Sequence, residues 1–387
     1  QPLSAWMRWL LLALVGISCA FSMPVRVGII GTGWGVNVQV PQFRSVGLEI
    51  TAIHSRSLAR AQAIAKEHGI PHAFDSVDEL VSCDAVDLVC VSTPTHERKN
   101  AVLKAIAAGR HVLAEKPMAV SFEDAMEMLE AARAAPPDRL HLLDFELRCV
   151  PALRQAQSFI DNGDIGQVQF VSFSCLANFG FLKDGATFGH WNSRECGGGV
   201  FSAVGTHYVD CCRYLLSQEV GKVSAVELPL NLAMPDADGK PNAVTADGYV
   251  SAQLLMTDGT PVHISISGRA PGAGMYENRM VLVGSGGTLM FDFFHTELKA
   301  WLAGADSNGE PTMTMGPEEG DAWSKVGTPQ LGRAILLALT GESDQQEPAP
   351  LVKESLGMFH DGAQVQKVTD AVHKSAAEHG AWQVLEY

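Results

Sequence analysis

The chain reads as a two-domain α/β protein. A parallel sheet wound on both faces by helices comes first, over residues 24–147. An α+β domain with a large, mostly antiparallel open sheet follows, over 148–387. Three observations carry this reading. At 387 residues the chain is too long for one ordinary core. Short β-branched apolar runs alternate with helical patterns through the first part, the mark of a parallel sheet buried on both faces. Beyond it the runs come as consecutive hairpins.

Residues 1–23 stand apart. "WLLLALVGISCAFS" after Arg8 has the length of a signal-peptide core and is too short for a confident membrane span. Ala20 and Ser22 suit a cleavage site. "MPVRVGIIGTG" from Met23 reads equally well as a start, because a strand follows at once. A secretory leader and a cytoplasmic start at Met23 both remain open, as does a non-native extension.

The formal net charge of −15 argues against nucleic acid or an anionic membrane as partner. A phosphate-bearing ligand then needs a local cation or a backbone anion site. The eight cysteines show no metal-binding spacing, so no metal is expected and they read as reduced thiols.

In the first domain, runs at 25–30, 48–55, 86–93 and 111–116 read as strands. Helices fall between them. Gly69 and Gly109 end two of them. Ser76 with Glu79 forms a capping box. Another helix starts at Ser121 and stops before Pro136. "GIIGTGWGVNV" puts a glycine loop at the first strand-to-helix turn. Gly31 and Gly33, with Thr32, Trp34 and Gly35, are the candidate cradle for a pyrophosphate at a helix N-terminus. The fingerprint departs at its sixth position, which is Val36. At the end of the second strand an acidic residue would favour NAD. Here Ser55 and Arg56 stand instead, and an arginine suits the 2′-phosphate of NADP. NADP is the expected cofactor, with NAD the alternative. Thr93, Pro94 and His96 follow the fourth strand and are expected along the same cleft.

In the second domain, a helix at 151–163 leads into a partly alternating strand from Gly166. "GYVSAQLLMTDGTPVHISISG" reads as a hairpin turning at Asp258-Gly259. "NRMVLVGSGGTLMFDF" reads as two more strands. Segments 235–243 and 304–321 read as exposed loops, and 341–350 as a hydrophilic link to a last helix that returns to the first domain. The open sheet face predicts a homodimer or homotetramer.

Four segments in this order carry a resemblance: "VGIIGTGWG", "VCVSTPTHERKNAVLKAIAAGRHVLAEKP", "ELRCVP" and "GGGVFSAVGTHYVD". Together they resemble the glucose–fructose oxidoreductase/inositol dehydrogenase (Gfo/Idh/MocA) family, nearest to its glucose–fructose oxidoreductase domain-containing subgroup. The resemblance runs from about residue 24 to the C-terminus. It implies a Rossmann domain followed by the open-sheet domain. It also implies that Glu115 and Lys116 of "AEKP" lie beside the nicotinamide, with Lys116 reaching the substrate hydroxyl. A cation there stabilises developing alkoxide charge.

The family usually places an aspartate four residues before its histidine. Here Ala203 takes that place and His207 is the histidine. The segment from Val200 to Leu216 is apolar nearly all round and reads as a buried helix. His207 is the candidate base, neutral through burial and the nearness of Lys116. The same face carries Val200, Val204, Cys211 and Tyr214, so a core histidine fits the pattern too. His190 and Trp191 lie on a loop suited to closing over a sugar. Glu146 and Arg148 sit at the domain junction, as substrate contacts or as an interdomain salt bridge. The leading reading is an NAD(P)-dependent oxidoreductase of a sugar, polyol or related hydroxyl compound. The alternative is a catalytically inactive NAD(P)-binding sensor or assembly protein. A secreted carbohydrate-binding module is a third reading, weighed against by the intact Gly31, Gly33 and Lys116.

Overall fold

The computed structural model describes residues 24–230, 232–272, 277–303, 309–342 and 355–387. The hydrophobic leader at 1–23 and most of the link at 341–350 lie outside them. Among the described residues, no helix is long and apolar enough to cross a membrane.

Six parallel strands build the first sheet: β1 (Arg26–Ile30), β2 (Glu49–His54), β3 (His72–Phe74), β4 (Leu88–Val91), β5 (His111–Ala114) and β6 (His141–Leu143). Their order is β3-β2-β1-β4-β5-β6. Every side chain of β4 is buried, as expected of a strand covered on both faces. The helices are α1 (Val40–Ser45), α2 (Leu58–His68), α3 (Val77–Ser82), α4 (Thr95–Ala107) and α5 (Phe122–Ala134). Ser57, Ser76 and Ser121 accept hydrogen bonds from the backbone N–H groups of Arg60, Glu79 and Asp124, which caps α2, α3 and α5. Gly69 closes α2 in the left-handed conformation. Strand order reverses between β1 and β4, which makes their carboxyl ends the crevice of this fold.

The second domain opens with α6 (Pro151–Asp161). Its sheet runs β16-β15-β14-β13-β7-β12-β11-β8-β17. The strands are β7 (Val168–Leu176), β8 (Val220–Pro229), β11 (Asp247–Met256), β12 (Pro261–Ser267), β13 (Glu277–Gly284), β14 (Gly287–Asp292), β15 (Glu297–Leu302), β16 (Met313–Met315) and β17 (Gln383–Val384). Only the β7/β12 pair is parallel. The two hairpins read from sequence are present as β11/β12 and β13/β14. Two segments read as loops are partly strand. Residues 235–243 close a small hairpin, β9 (Ala233–Pro235) with β10 (Pro241–Ala243). The Asp236 carboxylate accepts from the N–H of Asp238 and Lys240 and shapes its turn. The stretch 304–321 contains β16, which pairs with β15. Three-residue strands carry too little alternation to be seen in a sequence.

One sheet face is covered by α6, α7 (Thr206–Leu216) and α9 (Phe359–Ala377). Helix α9 also packs on α5, and its Asp370 accepts from the Phe122 N–H at 2.7 Å. Helix α8 (Thr328–Thr340) packs on α1. The opposite sheet face is open, with Phe170, Leu176, Val226 and Leu228 exposed on it.

The domains join at a 3₁₀ turn, Glu146–Cys149. With three residues per turn, Glu146 and Arg148 leave it in different directions. Arg148 is buried and grips Asp210 of α7 with two hydrogen bonds, 2.9 and 2.6 Å. It also bonds Asp361 of α9, which Arg213 of α7 bonds in turn. Burial opposes the Asp361 carboxylate, but the two guanidinium groups outweigh it and hold its pKa below the usual value. This clamp ties the junction to α7 and α9. Breaking a buried pair leaves its partner charged and unmatched, which costs about 3–5 kcal/mol. Arg148→Met is therefore expected to lower the unfolding free energy by roughly that amount in urea titration. An unchanged midpoint would mean the clamp does not hold the junction.

Candidate active site

A cleft of about 780 Å³ opens at the carboxyl ends of β1, β4 and β5 and extends under the second domain. Gly31, Thr32, Gly33 and Trp34 form its floor. Gly31 has φ +127°, and a Cβ there would lie 2.4 Å from the Ser92 carbonyl oxygen. Only glycine lets the loop cross β4 this closely. A Cβ at Gly33 would meet nothing within 4 Å, so the backbone is bare toward the cleft. Trp34 Nε1 and Thr93 Oγ1 are buried without hydrogen-bond partners. A bare glycine floor and orphaned polar groups fit a dinucleotide. One expected cofactor contact has another role here. A Cβ on Gly35 would strike Ile29, so Gly35 serves packing, and Val36 beside it is buried in the core.

Thr93 and Pro94 line the cleft, as does Arg56. The Arg56 side chain is 85% exposed and reaches Glu97 at 3.1 Å. Ser55 is buried off the cleft. His96 also lies off it, with Nε2 3.7 Å from Glu97.

Lys116 stands at the end of β5, on a cis bond to Pro117. Its Nζ donates to the Ala203 carbonyl at 2.7 Å and lies 5.9 Å from the Trp191 ring centre. Burial lowers the Lys116 pKa, while Glu115 and Glu146 work to raise it. Glu115 backs the site, with its carboxylate accepting from the Lys116 N–H.

His207 lies in the first turn of α7, which directly follows a π-helical turn at Phe201–Gly205. Ala203, Val204 and His207 face the cleft together. The histidine is nearly fully buried, and its Nδ1 has no partner. Its Nε2 lies 3.9 Å from Glu146 Oε1. Burial, then Lys116, drive its pKa well below the usual 6.5, so the ring is neutral and able to accept a proton. Glu146 lines the cleft. Arg148 does not: the substrate contact expected of it is corrected to the clamp described above, because all its donors point at Asp210 and Asp361.

His190 and Trp191 line the cleft on a short turn fixed by Asn192. The Asn192 side chain accepts from Gly189 N–H and donates to the Phe181 carbonyl. Gly199 has φ +113°, and a Cβ there would fall 2.0 Å from Asp247 Oδ1, so the glycine run exists for close packing. Arg194 on the same loop pairs with Glu227 and Asp247 and contacts His373. Sequence spacing gave no sign of this convergence of Glu227, Asp247 and His373; Arg194 is the cation within it.

Several cleft residues had no sequence signal. Phe179, Phe181, Phe294 and Trp323 form an aromatic wall with Trp191. They come from separate loops, so nothing in their spacing links them. Asp321 belongs to the stretch read as an exposed loop. It lines the cleft instead, capping the turn that carries Trp323. Arg98 is fully buried and bonds the backbone carbonyls of Thr93 and Pro117, bracing both strand ends.

Comparison with known proteins agrees with this geometry. An oxidoreductase family with an NAD-binding Rossmann fold matches residues 25–137, and the GFO/IDH/MocA C-terminal domain matches 153–290. The chain belongs to the GFO/IDH/MocA oxidoreductase family. It is 28% identical to glucose-fructose oxidoreductase domain-containing protein 2 of Xenopus laevis, and 26% to that of Homo sapiens. Each match covers 93% of both chains. A levoglucosan dehydrogenase in complex with NADH and levoglucosan has the same fold, with TM-score 0.82 and 20% identity over 94% of this chain and 100% of that one. So does a super-repressor mutant of Gal80p from Saccharomyces cerevisiae, with TM-score 0.77 and 17% identity over 93% and 97%.

The closeness of Lys116 and His207 predicts a titration behaviour for this site. With [¹³C]histidine labelling, the His207 ring is expected to keep neutral-form shifts at pH values where an ordinary histidine is already protonated. Lys116→Met removes one of the two causes and should raise that pKa. A His207 that titrates near 6.5 in both proteins would contradict the buried placement.

Proposed function

We propose that this protein is an NAD(P)-dependent oxidoreductase, moving a hydride between the cofactor and the hydroxyl or carbonyl carbon of a sugar, polyol or related compound. One observation carries the proposal: Lys116 and His207, far apart in sequence, line the same cleft as the glycine loop. The nicotinamide, when bound, takes or returns the hydride. The Lys116 ammonium polarises the substrate oxygen and stabilises the negative charge that develops there. Neutral His207 accepts the hydroxyl proton. The aromatic wall suits the C–H faces of a sugar ring, and the levoglucosan complex of the structural relative points to the same substrate class.

Ala203 favours a second reading, an inactive NAD(P)-binding sensor, because it removes the family's carboxylate. A turnover screen across sugars and polyols separates the two. His207→Ala is expected to lower kcat by about 10²–10⁴ with cofactor affinity nearly unchanged. A wild type that transfers no hydride to or from any compound would favour the sensor.

NADP is the cofactor we infer, with Arg56 turning from Glu97 to the 2′-phosphate. A charge-assisted contact contributes about 1.5–3 kcal/mol. Arg56→Ala should thus weaken NADP about tenfold to hundredfold and NAD much less; equal losses by calorimetry would exclude this role.

We further propose that the open sheet face is covered by a second copy of the chain. Leu228, Tyr249, Ser267 and Leu176 form one cross-strand row on it. Val226 and Leu228 are more than half exposed, a costly apolar surface for a monomer. Light scattering is expected to give a dimer or tetramer, and Leu228→Glu a smaller species. A monomeric wild type would overturn it.

A further inference from the structure

Three buried carboxyl groups crowd behind Lys116. Glu115 follows β5, Asp144 follows β6, and Glu146 opens the junction turn. Each is nearly inaccessible to solvent. As carboxylates the three would repel one another, each opposing the charge of its neighbour. Asp144 Oδ2 accepts from the Gln39 amide at 2.9 Å, while Oδ1 has no nitrogen or hydroxyl donor. The cations in range are Lys116 and Arg98, two against three carboxyls. Burial and this mutual repulsion favour a proton within the cluster at neutral pH. Glu115 and Glu146 both line the cleft, and Glu146 is the one that faces His207.

We propose that Glu146 is the acid–base carboxyl of this site, replacing the carboxylate lost at Ala203, with Asp144 and Glu115 as its proton store. The proposal rests on the oxidoreductase reading above. In alcohol oxidation the C–H bond breaks and its electron pair leaves with the hydride for the nicotinamide dinucleotide. The O–H bond breaks and its proton passes through His207 to the Glu146 carboxylate. The oxygen keeps the O–H electron pair and forms the carbonyl. Carbonyl reduction runs the same steps backward. The 3.9 Å gap between His207 and Glu146 is about 1 Å longer than a hydrogen bond, and such contacts commonly tighten once substrate is bound.

The environment sets a direction. Burial first, then Glu115, push the Glu146 pKa up to about 8, and burial with Glu146 lifts Asp144 to about 7. At neutral pH Glu146 is then protonated and ready to donate, which suits carbonyl reduction. Alcohol oxidation needs it ionised, so that rate should rise tenfold per pH unit up to about 8 and level off above.

Infrared titration of the ligand-free protein tests the store without any turnover. Wild type is expected to lose a protonated-carboxyl band between about pH 6 and 9. Glu146→Gln should lose part of that band, and His207→Ala should keep it. An identical titration in Glu146→Gln would overturn the proposal. Turnover supplies the second arm. Glu146→Gln is expected to lower kcat by about 10²–10⁴ and flatten the pH profile, and Glu146→Asp to restore a sloped profile. If Glu146→Gln keeps the wild-type rate and profile while His207→Ala loses activity, this proposal falls and the oxidoreductase reading stands. A wild type inert toward every sugar and polyol overturns both.

Discussion

The site depends on one half-buried ammonium group. Lys116 ends a strand of the first domain, and its Nζ bonds a carbonyl of the second, at Ala203. A desolvated cation must be matched by nearby negative or dipolar groups. Here the matching groups are the Ala203 carbonyl dipole and the carboxyls of Glu115 and Glu146. That requirement accounts for several features at once. It brings the two domains edge to edge over the glycine loop. It holds the neighbouring imidazole neutral. It gives a reason for acids to be kept in a place where burial alone would exclude them.

The junction turn divides these tasks between two side chains. Glu146 enters the cleft and meets His207, while Arg148 turns away to bind Asp210 and Asp361. One charged residue thus faces the cleft and its neighbour serves rigidity. A cleft between domains needs both, because a shift of an ångström between Lys116 and His207 would cost much of their joint effect. Helix α9, wedged between α5 and β8, reinforces the same junction.

Much of this was legible in the sequence. Continuous apolar strands, serine caps and terminal glycines specify the first sheet, because each signal is local. The glycine loop and Lys116 fall at strand ends, where open parallel sheets bind ligands. Local signals also explain the failures. Gly35 resembles a loop glycine, yet its constraint is the Ile29 side chain, which is not adjacent in sequence. Arg148 and Glu146 look alike on paper, and only the pitch of a 3₁₀ turn separates them. The aromatic wall joins Phe179, Phe181, Trp191, Phe294 and Trp323 across more than 140 residues, with no period to announce it. The carboxyl store likewise comes from two strand ends and a turn whose proximity is set by the sheet order.

The alanine at position 203, where the resemblance implied an aspartate, has a different meaning once Glu146 is seen beside His207. A site judged by its sequence motif alone appears to lack a group, whereas the cleft contains a carboxyl reached from another element. The account's central claim is that this cleft transfers hydride under the control of Lys116. The most direct measurement uses reduced cofactor deuterated at the transferring position, incubated with a panel of sugar and polyol-derived carbonyl compounds. Mass spectrometry should find deuterium on a product carbon with the wild type and little or none with Lys116→Met. No transfer by the wild type, or equal transfer by both proteins, would contradict the account.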